Sequence, residues 1–245
     1  PTLGSWGLMW DEAFKGDILQ FNNNRDAFGT ALYYLGYDVN NATEEQWREA
    51  LDLLKKQKDL VQGYVMDEIF NKMKSGSAAV SAYYAGDFLS MYEDNEDLAF
   101  FYPKEGTNIY VDAMCIPANA EHYDLALEYI NFMCSEEIAV ANAEYHYYAS
   151  PNRLVAENEE YIEYMESIHE DAMKILYDDI STVKSSAYLN LPADKLTLIN
   201  DLWEELKVES SIGTGIYVCC GVILAALLAL ILYTVLRKRR WAKLY

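Results

Sequence analysis

The stretch Tyr102-Pro103-Lys104-Glu105-Gly106-Thr107-Asn108-Ile109-Tyr110-Val111-Asp112-Ala113-Met114-Cys115-Ile116-Pro117 decides how this chain is read. Pro103 and Gly106 punctuate a turn. After it Ile109, Val111 and Ala113 alternate with Tyr110, Asp112 and Met114, the period of a strand. Tyr110 and Asp112 then share one face, about 7 Å apart. An amine can lie against that phenol ring while the carboxylate neutralises its charge. The pair is therefore either a minimal receptor for an organic cation or an ordinary wet strand face, and the stretch alone does not choose.

Outward from this stretch, Asn24 can cap a helix in which Phe28, Ala31, Leu32 and Leu35 fall on one face and Gly36 supplies the stop. Asp26 lies in its first turn, where the helix dipole alone would favour a carboxylate. Thr43 and Gln46 form a capping box ahead of Trp47, Ala50, Leu51 and Leu54. The run Ala78 to Tyr84 is a compact apolar strand, and Gly86 follows at once. Tyr84 thus stands at a strand-to-helix corner, either as a core tyrosine or where open α/β sheets place ligands. Helices are expected over Tyr123 to Phe132, Ile138 to Tyr145, much of the acidic segment from Glu157 to Asp179, and Leu191 to Val208. His122, His146 and His169 show no metal-ligand spacing, so His146 is a packing or surface histidine on this reading.

The 245 residues, 52% hydrophobic and 24% charged, belong to a globular chain. Of 39 acidic and 19 basic side chains, every acid precedes Ile212 and five bases follow Leu236, leaving 14 against 39, or −25, on the body. Such a body repels nucleic acid and attracts cations, amines included. The four cysteines have neither metal nor disulfide-framework spacing. No phosphate loop, nucleophile elbow or zinc-protease motif occurs. No cofactor, no metal and no catalysis are expected. Pro1 is not an initiator and no leader follows it, so the chain is expected to lack its true start.

Ile212 to Leu236 carries no charge over 25 residues, about 37 Å as a helix and enough to cross a bilayer. Arg237-Lys238-Arg239-Arg240 follows directly. The positive-inside rule then predicts a single-pass protein of the cell membrane, with its C-terminus cytoplasmic and its acidic body outside.

Several separated motifs resemble one family in order and spacing. They are Arg25-Asp26-Ala27-Phe28 to Leu35-Gly36-Tyr37, Ala82-Tyr83-Tyr84-Ala85-Gly86, Tyr102-Pro103-Lys104-Glu105-Gly106, and Ala143-Glu144-Tyr145-His146-Tyr147-Tyr148-Ala149-Ser150-Pro151-Asn152. Together they look like the spermidine/putrescine-binding proteins of bacterial ABC transporters, from about Ser5 to Asn152 and weakly on to Lys207. The resemblance implies an α/β, two-lobed fold of the periplasmic-binding-protein type II kind. Residues 1–111 would form the second lobe, 112–155 a segment returning to the first lobe, 156–210 helices packing on the second lobe, 211–236 the membrane helix, and 237–245 the basic tail. The returning segment, without its sheet, is expected to be poorly supported in isolation.

The same resemblance implies a polyamine ligand, a permease partner and a separate ATPase subunit. It places Tyr84, Tyr110 and Tyr148 on three aromatic positions where the best-known pattern has tryptophan at the first two. Asp26 falls on a carboxylate position and Asn23 on a second one, where that pattern has an acid, which removes a charge; Asp112, from the strand face, would take a charged amine beside them. The rivals are a same-fold binder of another solute, such as an amino acid or iron, and a carboxylate-based hydrolase. An anionic solute would want arginines, for which Arg25 and Arg153 are the candidates; a hydrolase needs an opposed pair of carboxylates that no spacing singles out.

Overall fold

The computed structural model describes residues 2–178, 182–208, 221–225 and Tyr233. The chain divides into two compact units, Pro1–Asn200 and Asp201–Tyr245. The predicted membrane span and the basic tail lie outside the described residues apart from 221–225 and Tyr233. Among the described residues no helix is long and apolar enough to cross a membrane.

The first unit is built on a parallel sheet of order β2-β1-β3, with β1 at Ile18–Phe21, β2 at Val61–Val65 and β3 at Val80–Ser81. All four residues of β1 are buried, as a strand flanked on both edges and covered on both faces requires. Leu19 pairs with Gly63 on one side and Ser81 on the other. Because every pairing is parallel, the carboxyl ends of the three strands open on one edge.

Short 3-10 turns, Trp6–Trp10 and Glu12–Phe14, lead into β1. Helix α1, Asn24–Leu35, follows it and ends at Gly36, whose φ of 78° suits a residue without a Cβ. Its cap is Asn23 rather than Asn24, since the Asn23 side chain accepts the Asp26 amide hydrogen. Helix α2, Glu44–Gln57, opens with the full Thr43/Gln46 capping box. Phe28 of α1 meets Trp47 of α2 edge to face at 5.4 Å, and both are buried. Burial of each such side chain contributes about 2 kcal/mol or more. Beneath them lies a polar knot that periodicity does not announce. Buried Gln20 donates to Thr30 and to Gln57, each at 3.1 Å, and Gln57 donates to the Met9 carbonyl.

Helices α3, Glu68–Lys74, and α4, Ala85–Tyr92, follow β2 and β3. A second core forms where Phe88 and Leu89 of α4 meet Ala139 and Ala143 of α6, Glu136–His146. Val155 of the short helix α7, Arg153–Ala156, and Tyr161 and Met165 of α8, Glu159–Ile168, join it together with Ala172, Ile175 and Leu176. A further helix, α9, spans Ala193–Val208.

The decisive stretch is less regular than its alternation predicts. Strand β4 is only Thr107–Ile109, paired in parallel with β5 at Ser185–Ala187. A strand needs a ladder partner, and β5 ends opposite Ile109. Residues 109–115 are exposed. Helix α5, Tyr123–Met133, contains no buried residue, with Tyr129 58% and Phe132 55% exposed. Cys115 and Cys134 are exposed free thiols.

Candidate functional site

The carboxyl edge of the sheet carries two corners built alike. β1 runs into the cap Asn23, and the third helical residue of α1 is Asp26; β3 runs into Tyr84, the cap of α4, and its third helical residue is Asp87. At both, a carboxylate in the first turn faces the positive end of a helix dipole.

At the first corner Asn23 is occupied with Asp26. Its Oδ1 accepts the Asp26 amide hydrogen at 2.8 Å, and its Nδ2 donates to Asp26 Oδ2 at 2.6 Å. The Tyr84 hydroxyl donates to that same oxygen at 3.0 Å. Asn23, proposed from resemblance as an amine ligand, therefore orients the carboxylate beside it. Burial, and next the charge of Asp26, push the Tyr84 phenol well above its ordinary range.

From Tyr84 a ladder of rings runs across the site. Its centroid lies 5.3 Å from that of Tyr110, and Tyr110 lies 6.3 Å from Tyr148, both pairs near edge-to-face. Phe21 and Tyr83 back the first ring. Although Tyr110 remains partly exposed, desolvation of its ring between Tyr84 and Tyr148 raises the phenol to about 12, so it stays a neutral hydrogen-bond donor. Tyr148 ends the ladder by donating to Asp87 Oδ2 at 2.7 Å. The Asp87 carboxyl is raised, chiefly by burial; the Tyr148 hydrogen bond opposes this and the charge of Asp67 adds to it. Gly86 makes the close approach possible, because a Cβ there would lie 2.6 Å from the Tyr148 ring.

Tyr84, Tyr110, Asp112, His146 and Tyr148 line a cavity of about 1040 Å³ that extends over apolar side chains. Asp112 reaches it from the exposed stretch after β4. The structure thus brings Asp26, Tyr84, Tyr110 and Tyr148 into one connected set, puts Asp112 on the cavity that the three rings line, and hydrogen-bonds Asn23 to Asp26. Asp87 escaped sequence reasoning. Its signal was the repeated pattern of strand, cap and third-position aspartate, shared with Asp26.

The set can hold cations chemically. Ring faces attract ammonium groups, and carboxylates at each end of the ladder supply counter-charge. Among the described residues no group of histidine, cysteine, aspartate or glutamate is placed to hold a metal ion.

Residues 2–174 match the family described as bacterial extracellular solute-binding protein. The spermidine/putrescine-binding periplasmic proteins of Salmonella typhimurium and of Escherichia coli are each 28% identical over 206 residues, covering 84% of this chain and 57% of the relative. The chain therefore spans little more than half the length of these curated relatives. Among solved structures, a putative spermidine/putrescine ABC transporter protein from Listeria monocytogenes is similar with a TM-score of 0.73 and 30% identity over 84% of this chain and 62% of that one. A spermidine/putrescine ABC transporter substrate-binding protein from Streptococcus pneumoniae gives 0.69 and 29% over 85% and 62%. With an α/β fold and a match over residues 2–174, this chain belongs to the family of bacterial extracellular solute-binding proteins.

Proposed function

We propose that this protein binds a linear polyamine, spermidine or putrescine, outside the cytoplasm and delivers it to the permease of an ABC importer whose ATPase is a separate subunit. One observation carries the reading: three tyrosine rings in series, bounded by the carboxylates of Asp26 and Asp87, with Asp112 alongside. The rings line a methylene chain and attract its ammonium groups, each contact contributing about 0.5 to 2 kcal/mol according to desolvation. Carboxylates fix the charged ends. Asp87 restores the negative charge that Asn23 lacks.

The match to polyamine-binding relatives supports the ligand class, and the domain reading follows from the same likeness. Residues 112–155 belong to a lobe whose remaining sheet would cover the exposed apolar face of α5, which makes the site one wall of a two-lobed cleft. The uncharged run from Ile212 to Leu236 with its basic flank supports a membrane anchor that holds the acidic body outside.

Calorimetric titration of spermidine and putrescine into the full chain in detergent tests the ligand. Saturable binding that weakens in Asp112→Asn and Tyr110→Ala is the expected result. A folded chain that ignores both amines sinks it, and turnover of a sugar panel would favour the hydrolase reading instead.

A further inference from the structure

His146 stands at the edge of the cavity, two residues before the last ring of the ladder. Helix α6 ends at this residue, and Tyr147 then takes a left-handed conformation with φ of 63°, the one such non-glycine residue among those described. A tyrosine pays strain for that conformation. The reversal folds the next residue back over the imidazole: the Tyr148 N–H donates to His146 Nδ1 at 2.9 Å, with ring centroids 5.8 Å apart. Tyr147 clamps the turn from the other side by donating to Glu93 beyond α4 at 2.6 Å.

A ring nitrogen that accepts an N–H carries no proton, so the neutral imidazole holds its proton on Nε2. Any second proton must enter at Nδ1. There it meets the Tyr148 N–H, and the hydrogen bond is lost. We infer that His146 is a positioning residue of the amine site: its unprotonated Nδ1 holds the backbone of Tyr148 in place and makes amine binding sensitive to pH. The inference rests on the polyamine reading and adds to it.

The charged and titratable groups around the ring act in both directions. Burial holds the imidazole below its ordinary range, while the carboxylate of Asp112, on the exposed stretch after β4, favours protonation. Asp87 of α4 reaches the ring only through the Tyr148 phenol, and Tyr110 sits between Asp112 and Asp87. Behind the turn, Glu93 is engaged by Tyr147. An ammonium on Asp112 offsets one of the two influences that favour the imidazolium, the other being a backbone hydrogen bond at His146 itself, and sets a second cation beside it. Amine binding and His146 protonation therefore oppose each other.

The test is calorimetry of putrescine with the full chain from about pH 4.5 to about pH 8, a range that reaches below the lowered imidazole, comparing wild type, His146→Asn and His146→Leu. Asparagine keeps an acceptor near the Nδ1 position and cannot titrate; leucine removes the acceptor. Wild-type affinity is expected to be flat in the upper part of the range and to fall by up to about tenfold per pH unit in the lower part. His146→Asn should match wild type near pH 8 and retain only the shallower slope due to the carboxylates, which all three proteins share. His146→Leu should bind about fivefold more weakly throughout, the effect of one lost hydrogen bond. A His146→Asn profile as steep as wild type, or a His146→Leu affinity equal to wild type near pH 8, overturns the inference. If wild type itself fails to bind near pH 8, the polyamine reading falls, and the Tyr148 amide resonance of the unliganded protein decides the rest. That resonance should move with the His146 titration, and its invariance would overturn the positioning role.

Discussion

The Tyr84 hydroxyl donates to Asp26 Oδ2 at 3.0 Å across 58 residues of sequence. That bond ties the corner after β3 to the first turn of α1. Oδ2 also accepts from Asn23, so Oδ1 is the oxygen on which an incoming ammonium depends. Asp26→Asn should therefore weaken polyamine binding most, by about ten- to a hundredfold, since a charge-assisted hydrogen bond is lost. Tyr84→Ala should cost about fivefold through the missing ring, and Tyr84→Phe less, because its ring remains. Calorimetry ranks the three; a Tyr84→Ala affinity equal to wild type would remove that ring from the site.

Asp87 trades stability for charge. Its folded pKa is raised above the unfolded value, so between the two the folded state binds more protons and stability falls as pH rises. At neutral pH, above that window if the shift is moderate and within it if large, the ionised form is a net cost to the empty protein. Asp87→Asn keeps an acceptor for Tyr148, and is expected to raise the melting temperature at pH 7 while reducing the extra rise that putrescine gives. Thermal scans with and without putrescine check both parts. A variant that melts lower when empty, or keeps the full ligand shift, contradicts this account.

Gly86 offers a steric test of Tyr148. A Cβ there would sit 2.6 to 3.0 Å from three atoms of the ring, which must swing away from Asp87. Alanine is also the better helix former, by about 1 kcal/mol, so helix propensity and ring position pull in opposite directions. Gly86→Ala should weaken amine binding severalfold and alter the near-ultraviolet circular dichroism while far-ultraviolet helicity holds. Unchanged affinity would show that Tyr148 has room to move without consequence.

Gln20, Thr30 and Gln57 do not line the cavity of the ladder, and their hydrogen bonds serve stability. Gln57→Leu leaves the Gln20 amide without one acceptor and the Met9 carbonyl without its donor, a loss of about 1 to 3 kcal/mol. Urea unfolding should show it, with amine affinity unchanged under native conditions. A neutral result would mean that water replaces the missing partner.

Hydrogen exchange should separate two helices of similar length. Helix α1 buries Ala27, Phe28, Ala31 and Leu32, whereas α5 buries nothing. Amides of α1 are expected to exchange only through global opening, and those of α5 through fraying of the helix itself. Protection across Leu127 to Phe132 equal to that in α1 would show that α5 is covered in solution.

Much was legible before any fold was known. The Thr43 capping box, the Gly36 stop and the apolar face of α1 depend on residues within a turn of one another, so the sequence states them directly. Tyr110 and Asp112 came forward from strand alternation, and Tyr84, Tyr148 and Asp26 from what the family resemblance implies. The strand expected through Ala113 was overextended, because alternation describes what a strand could bury and not whether a neighbour exists to pair with it. Only Thr107–Ile109 meets β5.

By itself, then, the sequence determined the local elements, the acid-rich body and the cast of aromatic and acidic side chains. Tertiary structure decided what those side chains do. Asp87 reaches Tyr148 across 61 residues through the packing of α4 against α6. Asn23 is hydrogen-bonded to both the amide and the carboxylate of Asp26, and His146, a packing or surface histidine by sequence, accepts the Tyr148 amide hydrogen. Capping and periodicity act along a few residues of chain, whereas a hydrogen bond between distant elements exists only once burial has brought their backbones to a fixed separation.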